Sequence, residues 1–183
     1  MLSRSRLLCV LLLILPDTAL GQQAGVRFVS QSCHTTFSRP ADWEVVPDTS
    51  EPDNTCRFLV RPRDWQQRLI ASDSVDVYTI LVRIVEHDVW SEVPESGFER
   101  RGAGWVVLGR QGLERPADTV SGPGWRGLRG IATVGCFREE GAYAGLCDAP
   151  SAVVGTTARS LVLIAGSRSE DVFDRILATL RFQ

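Results

Sequence analysis

The sequence predicts an α+β sandwich, on three observations. Residues Val75 to Glu86 alternate so that Val77, Leu81 and Val85 point one way and Tyr78, Ile80, Val82 and Ile84 the other. Both faces are apolar in the middle, as in a central strand covered on both sides. Leu161 to Ala165 repeats the pattern, with Leu161 and Leu163 against Val162 and Ile164. The strongest helical stripe comes last: Val172, Phe173, Ile176, Leu177 and Leu180 share one helix face, which must bury itself against a sheet.

The other elements follow in chain order. Val26 to Ser32 reads as a first strand, and Thr36 to Val46 as two short strands around a Pro40-Ala41-Asp42 turn. Pro47 to Asn54 is a polar, proline-bearing loop. Arg57 to Val60 resumes as strand, and Asp64 to Ala71 as a short helix. Asp88 to Arg101 carries Val89, Trp90, Val93 and Phe98 at helical intervals, but Pro94 weakens a helix there. Trp105 to Leu108 reads as strand. Leu128 to Phe137 and Ala142 to Cys147 read as a hairpin across a Glu-Glu-Gly loop. Ser167, with Glu170 three residues on, forms a capping box for the last helix.

The first twenty-one residues read as a cleavable export signal. Arg4 and Arg6 precede an unbroken apolar run, Leu7 to Leu15, which Pro16 and Asp17 end. Ala19 and Gly21 occupy the small positions of a peptidase site, so the cut falls between Gly21 and Gln22. A membrane anchor would need about 20 apolar residues, more than this run supplies. Residues 22–183 are then expected to form one α+β domain with no membrane span, placed in the periplasm or outside the cell. A hydrophobic content of 44% and five tryptophans argue against disorder. The formal net charge is −2, which argues against a nucleic-acid partner. Every basic residue is arginine, so Schiff-base lysine chemistry is excluded.

Four cysteines remain after the signal: Cys33, Cys56, Cys136 and Cys147. An even count in an exported chain points to two disulfides. Of three possible pairings, Cys33–Cys56 and Cys136–Cys147 join the neighbours in sequence. Zinc would want Cys-x-x-Cys or His-x-x-x-His spacing, and neither occurs, so no metal and no cofactor is expected.

Two segments carry a family resemblance. Phe37-Ser38-Arg39-Pro40-Ala41-Asp42-Trp43-Glu44-Val45 is similar to the opening of the PsbP-like and DcrB-like proteins, an aromatic followed by Pro-x-x-Trp-x-Val. The strand Leu161 to Ala165, followed by Ser169 to Phe182, resembles that family's final strand and helix. The likeness spans about Gln31 to Phe182. It implies an antiparallel sheet of about six strands sandwiched between helices, and binding more often than catalysis. No functional residue of the family has a counterpart here.

Glu86-His87-Asp88 is the one place where a histidine has carboxylate neighbours, as a general base needs. Adjacent strand residues face opposite ways, and no Gly-x-Ser-x-Gly elbow supplies a nucleophile. Cys33-His34 suggests a thiol–imidazole pair, but an oxidising compartment favours a bridged Cys33. Gly122-Pro123-Gly124-Trp125-Arg126-Gly127 matches Gly-x-Gly-x-x-Gly, yet a strand rather than a helix follows, so it reads as a turn. Asp48, Glu51 and Asp53 share a loop without calcium-site spacing. Trp90, Trp105 and Trp125 lie near Arg100, Arg101, Arg126 and Arg129, the composition of a contact patch. The expectation is an exported, non-catalytic domain that binds a protein or small ligand through Trp90, Trp105, Trp125 and Arg126. The alternatives are a secreted hydrolase using His87 and a structural envelope component.

Overall fold

The computed structural model describes residues 25–50, 55–70, 79–137, 143–166 and 168–183. The expected signal, residues 1–21, lies outside them. Twelve strands in two antiparallel sheets dominate the described residues, with three short helices. The smaller sheet has the order β1 (Val26–Ser30), β2 (Thr35–Arg39), β12 (Arg181–Phe182). The larger begins with β3 (Trp43–Pro47), β4 (Arg57–Pro62), β5 (Ile80–Val85), β11 (Ser160–Ala165) and β10 (Tyr143–Gly155). It continues through β9 (Trp125–Phe137), β8 (Glu114–Gly122), β7 (Gly104–Leu108) and β6 (Phe98–Arg101). The helices are α1 (Trp65–Ile70), α2 (Val89–Glu95) and α3 (Glu170–Thr179).

This corrects the expected sandwich of about six strands between helices. The large sheet has nine strands, and one of its two covers is itself a sheet. The reason is visible in β8, Glu-Arg-Pro-Ala-Asp-Thr-Val-Ser-Gly, none of whose residues is fully buried. It has no apolar stripe to read, and backbone pairing from Ala117↔Gly130 to Gly122↔Trp125 holds it in place. Likewise α2 stops at Glu95, one residue past Pro94, and Gly97 (φ 77°) turns the chain into β6. Residues 98–101 therefore leave the helical reading and become an edge strand.

The two-sided strands behave as their alternation requires. Ile80, Val82 and Ile84 of β5 join Leu161 and Leu163 of β11 in one core, with Phe37 of β2 and Val172, Phe173, Ile176 and Leu177 of α3. Val162 of β11 faces away, into a second core with Val89 and Val93 of α2, Phe98, Val107, Leu128 and Val153. The small sheet and α3 thus cover one face of the large sheet, and α2 covers part of the other. Ser169 is the N-cap of α3, and Glu170 and Asp171 in its first turn suit the positive helix end. The Ser167 of the expected capping box lies outside the described residues. Arg129 of β9 reaches Glu170 at 2.9 Å and Asp174 at 3.0 Å, tying α3 to the large sheet.

One disulfide is described, Cys33–Cys56, where two were expected. It joins the β1–β2 turn to the residue preceding β4, and so links the two sheets. Cys147 is also oxidised, but the side chain of Cys136 lies outside the described residues. No helix among the described residues is long and apolar enough to cross a membrane.

Candidate binding surface

Three of the four residues singled out for binding come together. Trp90 projects from α2 and Trp105 from β7, and their indoles stack with centroids 5.8 Å apart at an interplanar angle of 24°. The guanidinium of Arg126, at the second residue of β9, lies 5.5 Å over the ring of Trp90. Both distances are in the range of aromatic and cation–π attraction. Alternation places Trp90 here: Val89 and Val93 are buried in the second core, so Trp90 falls at the rim of the same helix. Trp90 and Trp105 are partly exposed and Arg126 is exposed.

Trp125 goes elsewhere. It neighbours Arg126 in sequence but faces the opposite side of the sheet, 7% exposed, in the core beneath α3. Its indole Nε1 donates to the Leu180 carbonyl at 3.3 Å, so it secures the end of α3. Of the four nearby arginines, two are engaged. Arg101 lies 2.6 Å from Glu99 and 2.9 Å from Glu114. The hydrogen bond and charge of Glu114 raise its pKa further above the ordinary arginine value. At Arg129 burial opposes the charge, but Asp174 and Glu170 outweigh it and the pKa is again raised. Arg126 and Arg100 have no carboxylate within 4.0 Å among the described residues. Arg100, exposed on β6, pairs with Trp105 across the β6–β7 ladder, and cross-strand partners share a sheet face.

The histidine site is arranged differently from its sequence neighbourhood. Asp88 is the N-cap of α2, and its Oδ1 accepts from the Trp90 backbone N–H at 2.8 Å. The carboxylate facing His87 is Glu92, one helical turn on, with Nε2 to Oε2 at 3.5 Å. Glu92 is 2% exposed, pairs with Arg83 and accepts from Ser96 Oγ at 3.1 Å. A hydroxyl nucleophile must hand its proton to the imidazole. Here the carboxylate stands between Ser96 and His87, and no hydroxyl contacts the imidazole directly among the described contacts. Cys33 is bridged, and His34 sits in the tight β1–β2 turn at φ 48°. Pro123-Gly124 form the two-residue turn between β8 and β9, with Gly124 at φ 79°, as type II geometry requires.

Of the acidic loop, Glu51 and Asp53 lie outside the described residues. Asp48 pairs with Arg57 and accepts from the Ser50 backbone N–H at 3.0 Å. No cluster of three metal-capable side chains occurs among the described residues. Sequence reasoning missed a cavity of about 270 Å³ beside the Asp48–Arg57 pair, lined by Leu59, Leu81, Val134 and Ile164. Its only sequence signal was the apolar second face of β5 and β11.

No protein-family profile matches the chain. No curated protein matches it either. Among solved structures, the fold is similar to a crystal structure from Bacteroides thetaiotaomicron VPI-5482. That match has 16% identity and a TM-score of 0.50, and covers 87% of this chain and 48% of that one. This chain therefore spans about half the length of that structure, and the likeness is one of fold alone. The second is the solution structure of cyanobacterial PsbP (CyanoP) from Synechocystis sp. PCC 6803. It is 11% identical with a TM-score of 0.46, covering 90% of this chain and 96% of that one.

Proposed function

We propose that this chain is an exported, non-catalytic domain that binds a protein through the Arg126–Trp90–Trp105 face. The observation that carries the reading is the stack itself. Two indoles pack at the rim of the second core, partly exposed, with an exposed guanidinium over one of them. Large, rigid aromatic side chains beside arginine supply contact area at low entropic cost, and such groups dominate protein interfaces. Trp125, buried and hydrogen-bonded, has no part in it. The Cys33–Cys56 bridge supports the exported address, because disulfides persist in oxidising compartments.

The test is capture from the native compartment with bridges kept oxidised, comparing wild type with Trp105→Ala. We expect a partner retained by wild type and lost by the variant, which should melt somewhat lower, because Trp105 packs against the second core, but still cooperatively. Identical capture by both proteins, or nothing above background with wild type, overturns the reading. N-terminal sequencing of the native product tests the address, with Gln22 as the expected first residue.

A further inference from the structure

We infer that the partner presents an acidic peptide segment, whose carboxylates are taken by Arg126, over Trp90, and by Arg100, across the ladder from Trp105. This rests on the binding reading above and adds the chemistry of what is bound. Arg126 lies with its guanidinium over the ring of Trp90. At that distance the ring attracts the cation, and the exposed guanidinium keeps its N–H fork, the part that matches a carboxylate, available to a ligand. Arg100 is exposed on the same sheet face as Trp105, across the β6–β7 ladder.

The neighbouring arginines supply the contrast. Arg101, Arg115 and Arg129 each hold a carboxylate of this chain within 3.0 Å. Arg126 and Arg100, the two flanking the tryptophans, hold none among the described residues. The strip is therefore a pair of cations without carboxylate partners of their own among the described residues, complementary to closely spaced carboxylates on a peptide. A sugar would need bare indole faces, and Arg126 already covers that of Trp90. Nucleic acid calls for a basic domain, whereas the chain carries a net charge of −2. An anionic membrane surface is read by clusters of about four to eight basic residues, more than this strip offers.

The experiment is a fluorescence-anisotropy titration of the oxidised protein with labelled hexaglutamate, with hexaglutamine as the uncharged control. Wild type is expected to bind hexaglutamate and not hexaglutamine, with affinity falling as salt rises. Arg126→Gln and Arg100→Gln should each weaken binding about fivefold, the upper range for a partly exposed ion pair. Arg115→Gln, which breaks only the pair with Asp148, should leave it unchanged. Thermal melts confirm that each variant is folded. Absence of hexaglutamate binding, binding indifferent to Arg126→Gln, or a preference for phosphatidylglycerol vesicles overturns the inference. The capture experiment separates the two levels. A native partner lost with Trp105→Ala but no affinity for hexaglutamate sinks the acidic segment and leaves the binding face standing. Failure of both sinks both.

Discussion

Asp48 shows how single residues tune this protein. Burial alone would push its pKa up, but the Ser50 N–H and the Arg57 guanidinium outweigh it and hold the carboxyl below the ordinary value of 3.8. A carboxyl with a depressed folded-state pKa stabilises the fold above its unfolded pKa. That contribution is lost as pH falls through the folded value. Asp48→Asn should therefore lower the urea midpoint at pH 7, and should flatten its decline as pH drops below about 4. An unchanged acid limb would mean that the pair with Arg57 is silent. Glu92 makes the complementary point. Its buried carboxylate gathers Arg83 of β5, Ser96 at the end of α2 and the exposed His87 of the intervening loop. Sequence adjacency offered Asp88 as the partner of His87, but Asp88 caps the helix and Glu92, five positions on, takes the role.

At the scale of elements, α3 buries its apolar stripe against the same core as β5, β11 and β2. Phe173 is fully buried between the large sheet and β2, and its ring lies beneath the Arg129 guanidinium at 5.6 Å. Phe173→Ala is expected to cost about 3–5 kcal/mol in urea unfolding, the range for truncating a buried aromatic. A loss below about 1 kcal/mol, typical of surface changes, would place that face of α3 outside the core. The helix was legible because its stripe recurs at helical spacing, and β5 and β11 because both faces are apolar. The edge region was not. β8 buries no residue fully and β6 buries only Phe98, so both rest largely on backbone pairing, and hydrophobic periodicity carries no trace of such ladders. The binding face was half legible for the same kind of reason. Composition gathered Trp90, Trp105 and Arg126, but only strand alternation tells that Trp125 faces the opposite way from Arg126.

At the scale of the molecule, two cores lie back to back across one sheet, and the small sheet is bound to the large one by a covalent link. Replacing Cys33 by Ser opens a loop spanning 23 positions, and by chain entropy should cost about 3 kcal/mol. Hydrogen exchange should quicken first in β1, β2 and β12, because the bridge anchors their turn. Exchange that quickens equally throughout the large sheet would show that the two sheets unfold as one.

The pairing of β12 with β2 sets Arg181 against Thr36 and Phe182 against Thr35, and the Gln183 N–H donates to the His34 carbonyl. Neighbours in space here are far apart in sequence. A nascent chain can oxidise Cys33 and Cys56 early, since both precede most strands of the large sheet. The strand that completes the small sheet is made long after its partner β2. The early crosslink would then hold an unfinished hairpin in register until its last partner arrives, so the timing of oxidation, as much as its energy, belongs to how this protein assembles.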